Sequence, residues 1–197
     1  MTAQRISTVL VAIAAALGFA SLLLLLAFVA LQLGYSLGLK RIVFVDVLVI
    51  AGLFVIRAAA GAAAVHVPIS GWLLVCTALL ALFLGLAKRR GELVLVEADA
   101  TPGRPALAGY SLTLVDALLN AVAAATAVVY AVYAVTAHSA WMALTVPFVV
   151  VGLGRYLFLV RRHDLGEEPE HVLLSDRVIL VAVAAWAVLS AGVLAVT

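Results

Sequence analysis

The chain has 197 residues, of which 67% are hydrophobic and only 11% charged, and its mean hydropathy is +1.28. An ordinary soluble domain is about half apolar and about a quarter charged, and a chain this short cannot hide such an excess in one core. A soluble enzyme, a disordered chain and a secreted disulfide scaffold are therefore excluded. The net charge of +2 and the lone Cys76 carry little information, so the placement of the twelve Lys and Arg residues matters more.

After Met1–Arg5, residues 6–39 carry no charge. That run is far longer than the apolar region of a signal peptide and is read as mature membrane structure. As one helix it would rise about 50 Å, more than a bilayer core even with tilt; as two, it would turn near residues 18–21. Five further segments are apolar enough to cross a bilayer: residues 42–67, 70–87, 111–137, 141–160 and 176–196. Gly, Pro, His or charged clusters separate them. No segment shows the alternation of a barrel strand, and isolated strands cannot satisfy their backbone in lipid. The expectation is an all-α, multi-pass transmembrane bundle of six or seven spans, forming a single domain over residues 1–197.

Lys40-Arg41, Lys88-Arg89-Arg90, Arg104, Arg155, Arg161-Arg162 and Arg177 lie at or beyond alternate junctions, whereas His66-Val67-Pro68 and Thr136-Ala137-His138-Ser139 contain no Lys or Arg. The positive-inside rule places the basic junctions in the cytoplasm, and the expected location is the plasma (inner) membrane. Arg5 joins them only if the first stretch is a hairpin, which gives seven spans.

Ionisable residues within spans are costly and mark function by default. Asp46, Arg57 and Asp116 are the three candidates. Asp46 and Arg57 are eleven residues apart, about three helical turns, and share a face at different depths. They either line a polar cavity that takes phosphate at its mouth, or form buried ion pairs and snorkelling contacts. In the loop 88–110, Lys88, Arg89 and Arg90 beside Glu92 are explained by a membrane-flanking topology signal without further function, while Arg104, Tyr110 and Asp116 follow closely and could complete an anion or metal-diphosphate site. Ser175 is read as the N-cap of the last helix. The small residues from Ala58 to Ala64 are read as helix packing. No histidine pair has metal-ligand spacing, and no nucleotide-binding glycine loop, nucleophile elbow or nucleic-acid-binding pattern is present.

Tyr35-Ser-Leu-Gly-Leu-Lys40-Arg41, Asp46, Phe54-Val-Ile-Arg57-Ala-Ala-Ala-Gly61 and Leu84-Gly-Leu-Ala-Lys88-Arg89-Arg90-Gly-Glu92-Leu93 stand in that order. Arg104-Pro105, Tyr110 to Asp116, Gly152-Leu-Gly-Arg155-Tyr156 and Leu173-Leu-Ser-Asp176-Arg177 follow. Together they resemble the UbiA superfamily of intramembrane prenyltransferases, nearest its decaprenyl-phosphate phosphoribosyltransferase branch, from about residue 6 to the end. The resemblance implies a helical bundle with a cytoplasmic site and a lateral opening for a polyprenyl chain. It implies that Lys40, Arg41, Arg57, Lys88, Arg89 and Arg104 bind phosphate, and that Tyr110, Glu92 and Asp116 belong to a second polar loop. It also implies Mg2+ as cofactor and a membrane lipid or isoprenoid as partner. The chain departs from the family pattern in starting after the first Asp-rich motif. An isolated chain without those carboxylates is expected to be a poor catalyst. The alternative is a non-catalytic relative that binds lipid, quinone or pigment among other membrane subunits.

Overall fold

A computed structural model describes residues 19–97, 109–136, 140–162 and 169–196. Among these residues there is no strand. The helices are α1 (Phe19–Leu37), α2 (Val45–Ala64), α3 (Gly71–Glu97), α4 (Leu112–Thr136), α5 (Val146–Arg162), α6 (Pro169–Ser175) and α7 (Arg177–Val196). Short 3-10 turns, Leu39–Arg41 and Ala140–Thr145, precede α2 and α5. Six segments are long and apolar enough to cross a membrane: α1, α2, most of α3, α4, Trp141–Arg162 and α7. The protein is therefore a multi-pass helical membrane protein. Of the first apolar stretch, the described part is a single helix beginning at Phe19; Arg5 lies outside the described residues.

The chain divides into two compact units, Met1–Ala78 and Leu79–Thr197. In the first, α1 packs along α2. Gly52 allows close approach there, since a Cβ at that position would already touch Leu31 at 3.4 Å. The chain enters α2 through Phe44, whose φ of 64° is a left-handed value that bulky residues rarely adopt. Along α2, Val47, Val49, Ala51, Leu53 and Ala59 are buried, while Leu48 and Phe54 face outward. Outward apolar side chains would be a liability in water, but on a spanning helix they are the lipid-facing surface.

In the second unit α5 packs against both α4 and α7, and the turn Ala140–Thr145 sits against α4 and α7. Hydrophobic driving force between helices is weak in lipid, so packing and hydrogen bonds must hold them. Phe83 on α3 meets Tyr156 on α5 with ring centroids 5.3 Å apart. Away from the basic helix ends, Trp186 Nε1 donates to Tyr130 Oη at 2.6 Å, and Tyr130 Oη lies 2.7 Å from Thr145 Oγ1. Thr145 Oγ1 in turn donates to the Met142 carbonyl at 2.6 Å. This chain of hydroxyls joins α7, α4 and the turn before α5.

Two local expectations are corrected. α3 does not stop at residue 87 but continues to Glu97, so Lys88, Arg89 and Arg90 are helical and not in a loop. The last helix is capped by Asp176 and not Ser175: Asp176 Oδ1 accepts the N–H groups of Val178 and Ile179, both at 3.0 Å. Ser175 instead closes α6. A carboxylate satisfies two otherwise orphaned donors and also suits the positive end of the helix dipole.

Candidate functional site

A polar cluster of the second unit lies where charged turns of α3, α4 and α5 meet. Ser111 starts α4 by accepting the Leu114 N–H at 3.2 Å, which sets Asp116 in the second turn. Arg90 Nε donates to Asp116 Oδ1 at 2.9 Å, and its Nη1 donates to the Val160 carbonyl at 2.8 Å. Val160 lies in the last turn of α5, whose carbonyls have no partner within the helix. Arg90 thus ties α3 to α4 and α5 at once. Arg161 adds a second guanidinium, 3.7 Å from Asp116 Oδ1, and donates to Asn120 Oδ1 at 2.6 Å. One turn along α3, Arg89 forms an ion pair with Glu92. Arg89 is only 2% exposed, so its charge has to be met by neighbouring groups.

A separate pair joins α5 to the start of α7. Arg155 Nη2 donates to Asp176 Oδ2 at 2.9 Å, with Nε at 3.2 Å from the same oxygen. The Arg155 guanidinium, followed by the Ile179 N–H, holds the Asp176 carboxyl below the usual carboxylate range. The two-point contact fixes orientation as well as charge.

The residues singled out from sequence are distributed as follows. In the first unit Lys40 and Arg41 are exposed on the 3-10 turn, and Asp46 is 1% exposed in the first turn of α2. Asp46 there meets the positive end of the helix dipole. Arg57 lies over the rings of Phe28 and Phe54, 5.3 Å from each centroid. Two aromatic faces thus flank this cation within its span. In the second unit Lys88 is half-buried and Tyr110 buried. Arg104 lies outside the described residues. Of the selected set, Arg89 and Glu92 meet each other, while Asp116 meets Arg90 and Arg161. Arg90 is a loop candidate in the sequence but not one of the phosphate donors that the resemblance implies, Arg161 enters only as a topology marker, and Asn120 carries no signal. The signal that could have found them is weak, because choosing among Lys88, Arg89 and Arg90 requires the helical phase beyond residue 87.

The carboxylates of this cluster are engaged by guanidinium groups, and among the described residues no three His, Cys, Asp or Glu side chains gather to hold a metal ion. As placed here Glu92 and Asp116 face arginines, so the Mg2+ that the resemblance implies has no three-residue site among the described side chains.

The helices and this charged junction define a polytopic membrane protein with its polar groups concentrated where helices end. No family profile matches the chain. It is similar to decaprenyl-phosphate phosphoribosyltransferase of Mycobacterium tuberculosis, with 33% identity over 168 residues, 83% of this chain and 55% of the relative. The enzyme of the same name from Mycolicibacterium smegmatis is 32% identical over 172 residues, covering 81% of this chain and 54% of the relative. That from Corynebacterium glutamicum is 33% identical over 166 residues, covering 81% and 49%. The chain is thus related in sequence to these UbiA-superfamily enzymes and spans about half their length.

Proposed function

We propose that this chain works in UbiA-type transfer on a polyprenyl phosphate at a membrane face. The observation that supports the reading is the cluster of Arg89, Arg90 and Arg161 around Glu92 and Asp116 in a chain related to enzymes bearing that name. In the proposed reaction a lipid phosphate oxygen attacks the anomeric carbon of phosphoribosyl diphosphate. The bond from that carbon to the diphosphate breaks, and diphosphate leaves with its electron pair. Lys40, Arg41, Arg57, Lys88, Arg89 and Arg104 are the proposed phosphate donors, with Tyr110, Glu92 and Asp116 as polar neighbours. Cationic donors favour the developing charge on the leaving diphosphate. The basic junctions are proposed to face the cytoplasm from the inner membrane.

A transfer assay tests this reading. The full chain in liposomes is given decaprenyl phosphate and labelled phosphoribosyl diphosphate, with and without magnesium. A labelled lipid product is expected, and its absence under both conditions overturns catalysis by this chain.

One observation favours a second reading, that of a non-catalytic lipid-binding subunit. Glu92 and Asp116 are already paired with arginines, which is how structural carboxylates are held. Native purification distinguishes the two: this reading expects stoichiometric lipid or partner subunits and no labelled product.

A further inference from the structure

The outward flank of α5 carries an open groove of about 450 Å³ lined by Gly154, Leu157, Phe158, Arg161 and Arg162. These residues recur at three- and four-residue intervals and so form one helical face. The groove changes character along its length. Leu157 and Phe158 supply an apolar wall within the span, and the two arginines stand at its end. Gly154 leaves open space beside that wall, since a Cβ there would meet nothing within 4 Å.

The arginines of this helix are unequally engaged. Arg155 is neutralised by Asp176, while Asp116 is shared between Arg90 and Arg161. Arg162 is exposed and has no hydrogen-bond or ion-pair partner among the described residues. A soluble anion would use the arginines but leave the apolar wall uncovered. A lipid covers both.

We propose that this groove binds an anionic phospholipid of the surrounding bilayer, with its phosphate on Arg161 and Arg162 and an acyl chain along Leu157 and Phe158 past Gly154. Arginine suits the phosphate because its planar fork contacts two oxygens. The site does not depend on the transfer reaction and would serve either reading of the chain.

Native mass spectrometry of the full chain in mild detergent tests it, with phosphatidylglycerol, phosphatidylcholine and a long-chain polyprenyl phosphate as separate probes. Phosphatidylglycerol is expected to bind in preference to phosphatidylcholine, and Arg162→Gln to weaken it roughly tenfold, the scale of one charge-assisted contact. Gly154→Leu keeps every charge but fills the groove, and is expected to weaken it comparably. Arg177→Gln, outside the groove, is expected to leave binding unchanged. Each variant is first checked for an unaltered thermal midpoint, and Gly154→Leu stands as the independent test if an arginine variant fails to fold. Equal binding of the two phospholipids, or wild-type binding by both groove variants, overturns the proposal. Preference for polyprenyl phosphate over phosphatidylglycerol also overturns it, because the groove would then be a substrate site.

Discussion

Arg90 joins three helices, and its removal should show in stability. In Arg90→Ala the Val160 carbonyl loses its donor and Asp116 keeps only the more distant Arg161. Breaking a fully buried pair costs about 3–5 kcal/mol. Asp116 is a third exposed along its side chain, so a loss of about 2 kcal/mol is expected, read as a lower thermal midpoint in micelles. Adding Asp116→Asn to that variant should cost less than the two single losses added together, since the pair is already broken. Asp176 makes a different prediction, one of pH. Its carboxyl is held below the ordinary value of 3.8 by Arg155 and the Ile179 N–H. A lowered folded value means that the ionised form stabilises the fold. This contribution is complete above the unfolded value and is lost as pH falls through the folded one. Thermal midpoints measured from pH 7 down to pH 3 should therefore fall at the acid end, and Asp176→Asn should remove that part of the slope.

At the scale of elements, the hydroxyl chain through Tyr130 tests what holds α4 and α7 together. Tyr130→Phe removes the acceptor of Trp186 and the partner of Thr145, while Thr145 retains the Met142 carbonyl. Hydrogen bonds between membrane helices average only about 0.6 kcal/mol because the unfolded chain in lipid also finds partners. The expected loss is accordingly about 1 kcal/mol, with faster amide exchange near Trp186 as the second readout. The spans themselves were legible because an apolar run of membrane length has few other uses. The end of α3 was not. Lys88, Arg89 and Arg90 read as a stop, yet Glu92, Asp116 and Val160 supply partners for two of them inside the protein. Asp116 illustrates the same limit: its arginine partners are 26 and 45 residues away, and no spacing rule reveals which helix ends become neighbours. The cap of α7 failed for a smaller reason. Ser175 and Asp176 are both capping residues, and sequence alone did not show that α6 would end at Ser175.

Across the whole molecule, the six described spans make a testable arrangement of the ends. In a Cys76→Ser background, Val67→Cys should react with an impermeant maleimide on intact cells, and Ser175→Cys only after the membrane is opened. Both positions are exposed. The reverse pattern would place the basic helix ends outside and remove the orientation on which the proposed chemistry depends. The face reached only after the membrane is opened is the one on which the proposed phosphate donors must meet their ligands.

The unbroken length of α3 has a consequence of its own. Its 27 residues extend about 40 Å along the axis, against a hydrocarbon thickness of about 30 Å. The uncharged portion before Lys88 covers only about 25 Å of that rise. Thick membranes would pull the first basic turn toward the acyl region, whereas thin ones would leave it at the headgroups. The same chain reconstituted into lipids of graded tail length should thus be most stable in the shorter tails, making bilayer thickness a control on how firmly the arginine junction is set.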